Sequence, residues 1–421
     1  MGRGGVSFDL PNLPMGWEFA ALERCAIPGS ISYGVVQPGA PIAGGVAIIR
    51  VNNFKDMRLD LSNVMRIEAG IEAKYGRSRL AGGEVLLTLV GSVGQVAVVP
   101  KVCAGFNVAR AVGVIRPAGD IEAQWIAICL RSPLSQHLLA TRANTTVQTT
   151  INLKDVRALP IPIPPRVERQ QIAKFLSALD DRIALLRETN ATLEAIAQAL
   201  FKSWFVDFDP VRAKQQGLAP AGMDEATAAL FPDCFDESAT LLCPLGWRTS
   251  KVEDLLELAY GKALKATDRV AGDVPVYGSG GLTGFHNEPL TTGPSVIVGR
   301  KGTVGSLYWE DRPCFPIDTV FYIRPKSPLT FCFYQLAVLG LDGMNTDGAV
   351  PGLNRNNVYR LPVVIPPLSV LAAFDDLVGA LRWRVFANEV QAQTLATLRD
   401  TLLPRLISGQ LRLPEAEALA A

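Results

Sequence analysis

Histidine is scarce in this sequence, and cysteine never occurs in the spacing that metal sites use. Only two of the 421 residues are histidines, and none of the seven cysteines belongs to a C-x-x-C pair. Because structural zinc sites are built from closely spaced cysteines and histidines, a zinc site is not expected. An odd number of scattered cysteines is typical of reduced thiols, which predicts a cytoplasmic protein.

The sequence also lacks the short motifs of common enzymes. It contains no G-x-x-x-x-G-K-[ST] phosphate loop, no G-x-S-x-G motif and no H-E-x-x-H motif. The Asn/Asp-Pro-Pro-Tyr/Phe signature of DNA amino-methyltransferases is absent as well. The glycines at Gly278–Gly281 precede no predicted helix that could receive a phosphate, so we interpret them as a loop. These absences favour a binding protein over an enzyme, with no catalytic and no metal-binding residues.

Long apolar segments are missing too. The apolar, uncharged stretch Val85–Pro100 is interrupted by polar residues and glycines and is too short to cross a bilayer. No apolar segment follows a basic N-terminus, so we expect no signal peptide.

Charge is unevenly distributed along the chain, although the formal net charge is only +1. Residues 1–165 hold 16 Lys and Arg against 11 Asp and Glu, whereas residues 209–243 hold 2 against 6. The basic excess in the first part permits phosphate binding but does not establish it.

What the sequence does contain is a long apolar seam between Arg166 and Phe208. Apolar residues recur there in alternating steps of four and three, with one asparagine among them and no glycine or proline in between. This pattern predicts a long helix that pairs with another helix in a coiled coil. The seam residues are Ile172, Leu176, Leu179, Ile183, Leu186, Asn190, Leu193, Ala197, Leu200 and Trp204.

The same design recurs 202 residues later, again after an Ile-Pro-Pro sequence. The second seam consists of Phe374, Val378, Leu381, Val385, Asn388, Ala392, Leu395, Arg399, Leu402 and Leu406. The chain is therefore built twice, and each half ends in a long helix. Tandem duplication alone would also produce such a repeat, without implying a function.

The region before each helix predicts short strands and tight turns. Each region opens on Pro-x-Gly-Trp, at Trp17 and Trp247, and its Val- and Ile-rich runs alternate with glycine and proline. Shorter helices are predicted at Ala123–Thr141 and Leu329–Gly340, which makes the fold α+β. We divide the chain into globular residues 1–165, a helix at 166–208, a surface connector at 209–243, globular residues 244–365, a helix at 366–413 and a tail at 414–421.

The two seams match when the helices run antiparallel, as a pseudo-two-fold axis requires. Leu186 then faces Ala392, Ile183 faces Leu395, Leu193 faces Val385 and Ala197 faces Leu381. In this register Asn190 faces Asn388, and two amides that bond to each other fix the alignment. Alternatively, both asparagines lie at the hydrated edge of the seam.

Several motifs, taken in order, resemble the specificity (S) subunits of type I restriction-modification systems. In the first half they are Pro14–Trp17, Tyr33–Val35, Gly83–Thr88 with Gly91–Gly94, and Leu200–Val211. In the second half they are Val274–Gly281, Ile297–Gly302 and Leu402–Gly409. One departure is Thr145–Thr150, where the family pattern has a glycine ahead of the segment at Asn152.

The resemblance implies two target-recognition domains of mixed short strands and helices, joined by two long antiparallel coiled-coil helices. It implies a non-catalytic subunit that recognises a bipartite double-stranded DNA target, one half per domain. Its expected partners are two modification methyltransferase subunits and restriction/translocase subunits. No interaction with a membrane is expected. No cofactor is expected on this chain, because S-adenosylmethionine, ATP and Mg would belong to the partner subunits.

Candidate DNA-binding residues are polar or cationic side chains beside glycine-rich turns, since such side chains read base edges or hold phosphates. Arg300 and Lys301 are the leading pair. In the first domain the candidates are Tyr33, Gln37, Asn52, Asn53, Lys55, Lys74, Arg77, Arg79, Thr145, Thr146 and Gln148. In the second they are Lys262, Lys265, Tyr277, Ser279, His286, Arg300, Lys301, Thr303, Asn345, Asn354 and Arg355.

Two further expectations concern the helices. The recognition domains are expected at opposite ends of the helix pair, whose length then sets the distance between the two half-sites. The alternative to DNA recognition is a coiled-coil scaffold whose globular ends bind proteins, and nothing in the helical segments excludes it.

Overall fold

The computed structural model describes residues 10–145, 149–239, 241–345 and 352–420. Two compact units are present: unit 1 contains the chain up to Leu186 and the segment from Gln391 onward, and unit 2 contains Arg187–Val390. Strands and helices occur in both units, which confirms the α+β class. None of the described helices is both long enough and apolar enough to cross a membrane.

The elements of unit 1 are short apart from the two long helices to which both units contribute. Its strands are β1 (Glu18–Ala21), β2 (Ser32–Tyr33), β3 (Val46–Ile49), β4 (Phe54–Lys55), β5 (Arg58–Leu59), β6 (Met65–Ile67), β7 (Val85–Thr88), β8 (Val96–Val98), β9 (Asn107–Val108), β10 (Val112–Ile115), β11 (Asn144–Thr145), β12 (Thr149–Thr150) and β13 (Pro160–Ile163). Its shorter helices are α1 (Ala69–Glu72), α2 (Ala123–Arg131), α3 (Pro133–Arg142) and α4 (Leu153–Arg157), and α5 (Arg166–Phe205) follows.

Unit 2 repeats this arrangement with fewer strands. Its helices are α6 (Asp209–Gln215), α7 (Glu225–Ala229), α8 (Val252–Leu255), α9 (Leu329–Ala337) and α10 (Arg355–Tyr359). Its strands are β14 (Arg248–Lys251), β15 (Leu256–Tyr260), β16 (Val274–Gly278), β17 (Gly281–His286), β18 (Ser295–Gly299), β19 (Leu307–Glu310), β20 (Phe315–Pro316), β21 (Val320–Pro325) and β22 (Pro362–Ile365). The chain continues into α11 (Leu368–Ile407) and α12 (Leu413–Ala420).

The internal repeat extends to sheet topology. The order β2-β10-β7-β8 in unit 1 matches β15-β21-β18-β19 in unit 2. A second sheet, β6-β3-β9, matches β17-β16-β20, and each contains one parallel pair. The antiparallel pair β1-β13 likewise matches β14-β22. Unit 1 adds the hairpin β4-β5, which has no counterpart among the described strands of unit 2.

The two long helices are continuous, with 40 residues each. Pro164 and Pro165 precede α5 and Phe208 follows it with a left-handed backbone, so the helix ends three residues earlier than predicted. Gly379 and Pro404 lie inside α11 without interrupting it. The prediction that α11 runs from 366 to 413 is wrong at its C-terminal end, because the chain turns at Gly409 and begins α12.

The core of unit 1 forms between α2 and the long helices. Trp125 of α2 is fully buried, and its indole nitrogen donates to the Pro162 carbonyl at 2.9 Å. Ile172 from α5 and Leu406 from α11 join the same cluster. The amphipathic seam therefore provides one wall of the globular core in this unit.

The core of unit 2 is rich in aromatic rings. The Phe205 ring lies 4.9 Å from the Phe374 ring and 5.0 Å from the Phe331 ring, both edge-on. Edge-to-face pairs of this kind each contribute about 0.5–1.5 kcal/mol beyond their buried area. The C-terminal end of α5 is thus fixed to α9 and α11 by aromatic packing.

Two predicted boundaries need correction. The segment 209–243 is more than a surface connector, since it contains α6 and α7 and buries Val211 and Phe231 in the core of unit 2. The tail at 414–421 contributes most of α12, whose Ala416 is buried in the core of unit 1. Neither apolar contact was visible as a periodic pattern, because the buried side chains of 209–243 are widely spaced and the tail buries only Ala416 in that core.

Candidate nucleic-acid interface

A tyrosine stands at the same point of the four-stranded sheet in both units. Tyr33 pairs with Gly113, which pairs with Leu87, and Leu87 lies four residues before Gly91. Tyr260 pairs with Phe321, which pairs with Val298, and Val298 lies four residues before Gly302. The two tyrosine residues are 49% and 51% exposed, so each unit presents one of them to solvent at the end of a strand.

A glycine follows each of these tyrosines for a steric reason. A Cβ atom on Gly34 would overlap the Val108 carbonyl, and one on Gly261 would overlap the Ile317 carbonyl. The two backbones therefore approach closely directly after each tyrosine and leave no room for a side chain there.

Two other segments recur in both units and are hydrogen-bonded to each other. One is the glycine turn, residues 89–94 in unit 1 and 300–305 in unit 2, in which Gly91, Gly94, Gly302 and Gly305 have positive φ. The other is the return segment that leads to α4 or α10. In unit 1 the Gly91 amide donates to the Thr149 carbonyl at 2.9 Å, and in unit 2 the Leu353 amide donates to the Arg300 carbonyl at 2.8 Å.

In unit 2 these segments bring two arginines to the tyrosine. The guanidinium of Arg300 lies 4.9 Å from the centre of the Tyr260 ring, and that of Arg355 lies 5.0 Å from it. Arg300 donates to the Asp318 carbonyl at 2.9 Å, which fixes its orientation. Cation–π contacts of this kind hold a planar guanidinium against an aromatic face.

Most other candidates in unit 2 lie on the segments that form this cluster. Lys301 and Thr303 are exposed on the glycine turn, and Lys262 and Lys265 are exposed shortly after Tyr260. Ser279 lies in the β16–β17 turn, and its hydroxyl oxygen would be 3.3 Å from a Cβ on Gly302. Asn354 caps α10 through its side chain, and Asn345 accepts a hydrogen bond from the Gly352 amide at 2.9 Å.

Two candidates in unit 2 are part of the interior instead. His286 is 8% exposed and accepts a hydrogen bond from the Val270 amide at 3.1 Å, so its ring is not on the surface. The Tyr277 hydroxyl donates to the Glu310 carboxylate at 3.0 Å. Burial, together with the charge of Glu310, raises the pKa of this hydroxyl. Both side chains therefore stabilise the interior of unit 2.

In unit 1 the candidates lie in three places, of which the first is the region around Tyr33. The segment Ala73–Ser78 packs beside β2 and β9, so Lys74 and Arg77 lie near the strand that carries Tyr33, and Gln37 follows shortly after that tyrosine. Arg79 directly follows this segment, but its guanidinium pairs with the buried Glu72, with 2.6 Å between Nη2 and Oε2. This hydrogen-bonded pairing holds the pKa of Glu72 below its usual value.

The second place in unit 1 is the β4–β5 hairpin and the turn before it. Asn52 and Lys55 are exposed, and Lys55 lines a cleft of about 330 Å³ together with Gly94 and Gln95. Asn53, in contrast, is 3% exposed. Its amide bonds to the backbone of Arg50, Asp60 and Asn63, so it holds the loop together and cannot reach a base edge.

The remaining candidates of unit 1 lie on its return segment. Thr145 is in β11, whereas Thr146 and Gln148 lie outside the described residues. The shape of the loop that lacks the expected glycine is therefore described only at its flanks.

The sequence analysis missed two residues of this surface. Tyr260 was overlooked although Tyr260-Gly261 repeats Tyr33-Gly34, and this dipeptide was the available signal. Arg110 is exposed, and its amide donates to the Val35 carbonyl at 2.8 Å. Only strand pairing places it near Tyr33, because 76 residues separate the two in the sequence.

The paired asparagines lie opposite each other in the helix pair. The Asn388 side-chain nitrogen donates to the Asn190 side-chain oxygen at 2.8 Å, and the Asn190 nitrogen donates to the Val385 carbonyl at 3.1 Å. One layer away, Ile183 and Leu186 pack with Ala392 and Leu395. This is the register that the antiparallel alignment of the two seams predicts.

The architecture defines a class of protein with two related binding units on a shared helical framework. Each unit presents one exposed tyrosine, one glycine turn and one return segment, but the side chains around them differ. An arrangement of this kind suits the recognition of two different ligands, or of two parts of one ligand.

Comparison with known families identifies the class more closely. The family model for the type I restriction modification DNA specificity domain matches residues 43–195 and 244–375. The chain belongs to this family and is a DNA specificity subunit, which decides against the protein-binding scaffold.

Individual relatives agree with this assignment. The chain is 26% identical over 338 residues to the type I restriction enzyme HindI specificity subunit of Haemophilus influenzae, covering 64% of this chain and 72% of the relative. It is 31% identical over 179 residues to the EcoBI specificity subunit of Escherichia coli, covering 40% of this chain and 38% of the relative. The fold resembles the crystal structure of a type I S subunit from M. genitalium, with a TM-score of 0.57, 16% identity and coverage of 95% and 98%.

Proposed function

We propose that this specificity subunit recognises a bipartite double-stranded DNA target and that each unit reads one half-site with the surface around its tyrosine. The observation that carries the proposal is the repetition of that surface. Tyr33 and Tyr260 occupy the same position in two sheets of identical order, yet different side chains surround them. A shared scaffold with divergent polar surroundings suits two half-sites of different sequence.

The subunit itself is proposed to be non-catalytic. Its role is to bring two modification methyltransferase subunits, and restriction/translocase subunits where the system has them, to the DNA. S-adenosylmethionine, ATP and Mg would then bind to those partners, and this chain would need no cofactor of its own. The assembled complex would work in the cytoplasm, where the host DNA is.

A gel-shift titration of the chain with its methyltransferase partner tests the proposal. The complex should bind a duplex that carries the bipartite target more tightly than a scrambled duplex, and affinity should fall steeply with salt as phosphate contacts release counterions. Binding that ignores the sequence, or that is absent with the partner present, would contradict the proposal. The target for this assay comes from sequencing the methylated sites of a host that carries the system.

A further inference from the structure

The surroundings of Tyr260 combine two cationic groups with one exposed aromatic ring. Two guanidiniums, from Arg300 and Arg355, lie within about 5 Å of one exposed ring. They come from different segments, the glycine turn and the first turn of α10, so the fold rather than local sequence brings them together. Arg300 also lies 5.7 Å from the Phe321 ring, and Arg355 lies 5.7 Å from the Tyr359 ring.

Main-chain carbonyls rather than carboxylates hold these arginines. Arg300 donates to Asp318 O at 2.9 Å and Arg355 to Leu258 O at 3.5 Å, and neither forms an ion pair within the described parts of the chain. Elsewhere Arg79, Arg312 and Arg399 are paired with acidic side chains. Because a guanidinium has five N–H donors, each of these two positive groups is oriented but keeps donors for a ligand.

Unit 1 does not repeat this arrangement. The glycine turns align Arg300 with Leu89, and the helix caps Asn152 and Asn354 align Arg355 with Leu153. Leu89 is 3% exposed and belongs to the core of unit 1. The tyrosine is therefore common to both units, and the arginine pair belongs to unit 2 alone among these aligned positions.

A planar, oriented guanidinium matches one base better than the others. Guanine presents two acceptors, O6 and N7, side by side in the major groove, and the fork of an arginine donates to both. A flexible lysine suits a phosphate as a point charge, and Lys262 and Lys301 flank the cluster in exposed positions. Stacking on Tyr260 fixes the plane of each fork before DNA arrives, which lowers the entropy cost of the contact.

We infer that Arg300 and Arg355, held against Tyr260, recognise guanine in the half-site read by unit 2, and that unit 1 reads its half-site without such a pair. This inference rests on the proposed function, because it assigns a base to the surface proposed there. Lys262, Lys301 and Thr303 surround the arginines and contact the flanking phosphates.

The experiment maps methylated sites in hosts that carry the chain with its methyltransferase partner. The wild-type map should show two half-sites, with guanine in at least one position of one of them. Arg300→Ala and Arg355→Ala should relax the preference for guanine there by roughly 5- to 150-fold and leave the other half-site unchanged. Tyr33→Ala should affect that other half-site.

Two further variants separate shape from charge. Arg300→Lys keeps the charge but loses the fork, so it should relax the guanine preference as well. Arg324 is a matched control, since it also lies over a tyrosine, Tyr322, on the same sheet. It differs in being paired with Glu257 and in lying at the far end of β21 from Phe321, the partner of Tyr260. Arg324→Ala should reproduce the wild-type map. Co-purification with the partner shows that each variant is folded.

Three results would overturn the inference. In the first, both alanine variants lower methylation equally at all sites, and each reduces the salt dependence of binding by about one counterion. Such a result would mean that the arginines contact phosphates and not bases. In the second, the wild-type half-sites contain no guanine. In the third, relaxation appears in both half-sites. None of these three results contradicts the proposed function. A wild-type map without any bipartite target would contradict the proposed function itself.

Discussion

The side-chain amides of Asn190 and Asn388 interrupt an apolar seam, and the structure gives each of them a partner. Asn388 is 2% exposed, so its polar atoms are removed from water and depend on those partners. An asparagine pair of this kind costs stability relative to leucine but disfavours other alignments of the two helices, since any shift leaves an amide unpaired.

Asn388→Ala should lower the free energy of unfolding by about 1–3 kcal/mol, because Asn190 loses the donor to its side-chain oxygen. The double variant Asn190→Leu with Asn388→Leu should be at least as stable as the wild type, since both polar groups are removed together. Thermal unfolding of the three proteins measures this order. If the single variant is as stable as the wild type, water already satisfies the amides and they lie at the hydrated edge of the seam.

Asp180 joins the long helices to the β4–β5 hairpin through two buried arginines. Its carboxylate lies 2.8 Å from Arg399 and 3.2 Å from Arg131, whose side chains are only 11% and 15% exposed. Burial lowers the pKa of Arg131, and the charge of Asp180 opposes this effect. Arg131 and Arg399 also bond to the backbone and the sulfur of Met57 in that hairpin.

Asp180→Asn should therefore destabilise the protein by about 3–5 kcal/mol, because it leaves Arg131 without a carboxylate partner and Arg399 with only the exposed Asp400. Asp181→Asn is the matched control. Asp181 pairs with Arg58 at 2.8 Å, but its side chain is 74% exposed, so its loss should cost at most about 1 kcal/mol. Denaturant unfolding of both variants tests the difference, and equal effects would show that burial is not what makes Asp180 matter.

The two long helices were the most predictable part of the fold from the sequence. The surface around the tyrosines, which several elements build together, was the least predictable. A seam of ten residues repeats one physical requirement, burial of the same helix face, so single exceptions such as Asn190 do not obscure it. The surface around Tyr260 combines residues 260, 300 and 355, which the sheet brings together. Arg300 and Arg355 were named from their residue types, but nothing local in the sequence places them on one ring.

The same reasoning explains the wrong site assignments. Asn53 and His286 have side chains of types that contact bases in many proteins, and each lies next to a turn in the sequence. Both were therefore predicted to face DNA. Whether such a side chain faces solvent or bonds the backbone depends on contacts such as Asn53 with Asp60 and Asn63, which composition does not reveal.

Inserting two alanines after Arg187 in α5 tests the seam as an element. Two residues rotate the following part of the helix by about 200°, which turns Asn190, Leu193 and Ala197 away from α11. We expect a marked loss of thermal stability and of soluble protein. An insertion of seven residues at the same point, matched by seven in α11 beside Asn388, keeps the seam in phase and should fold. A stable two-residue variant would mean that the aromatic core of unit 2 suffices without the seam.

For the whole molecule, the seven-residue variant also tests how the helices relate to the DNA target. Seven residues lengthen each helix by about 10 Å at the α-helical rise. If the helices set the distance between the half-sites, the unread spacer should grow by about three base pairs, at roughly 3.4 Å per base pair. The half-sites themselves should stay the same, because no reading segment has changed. Sequencing of methylated sites gives both results at once, and an unchanged spacer would show that the helices do not set the distance.

Unit 1 is discontinuous in the chain, and this affects the order in which the protein forms on the ribosome. Its core combines Ile172 and Leu176 with Leu402 and Leu406, and Glu168 pairs with Arg412 at 2.7 Å. All of unit 2 is translated before these last partners emerge. The domain that is made first must therefore wait, with part of its core uncovered, until translation is nearly complete. A stop codon shortly before Leu402 would therefore destabilise unit 1, which is translated first, more than unit 2.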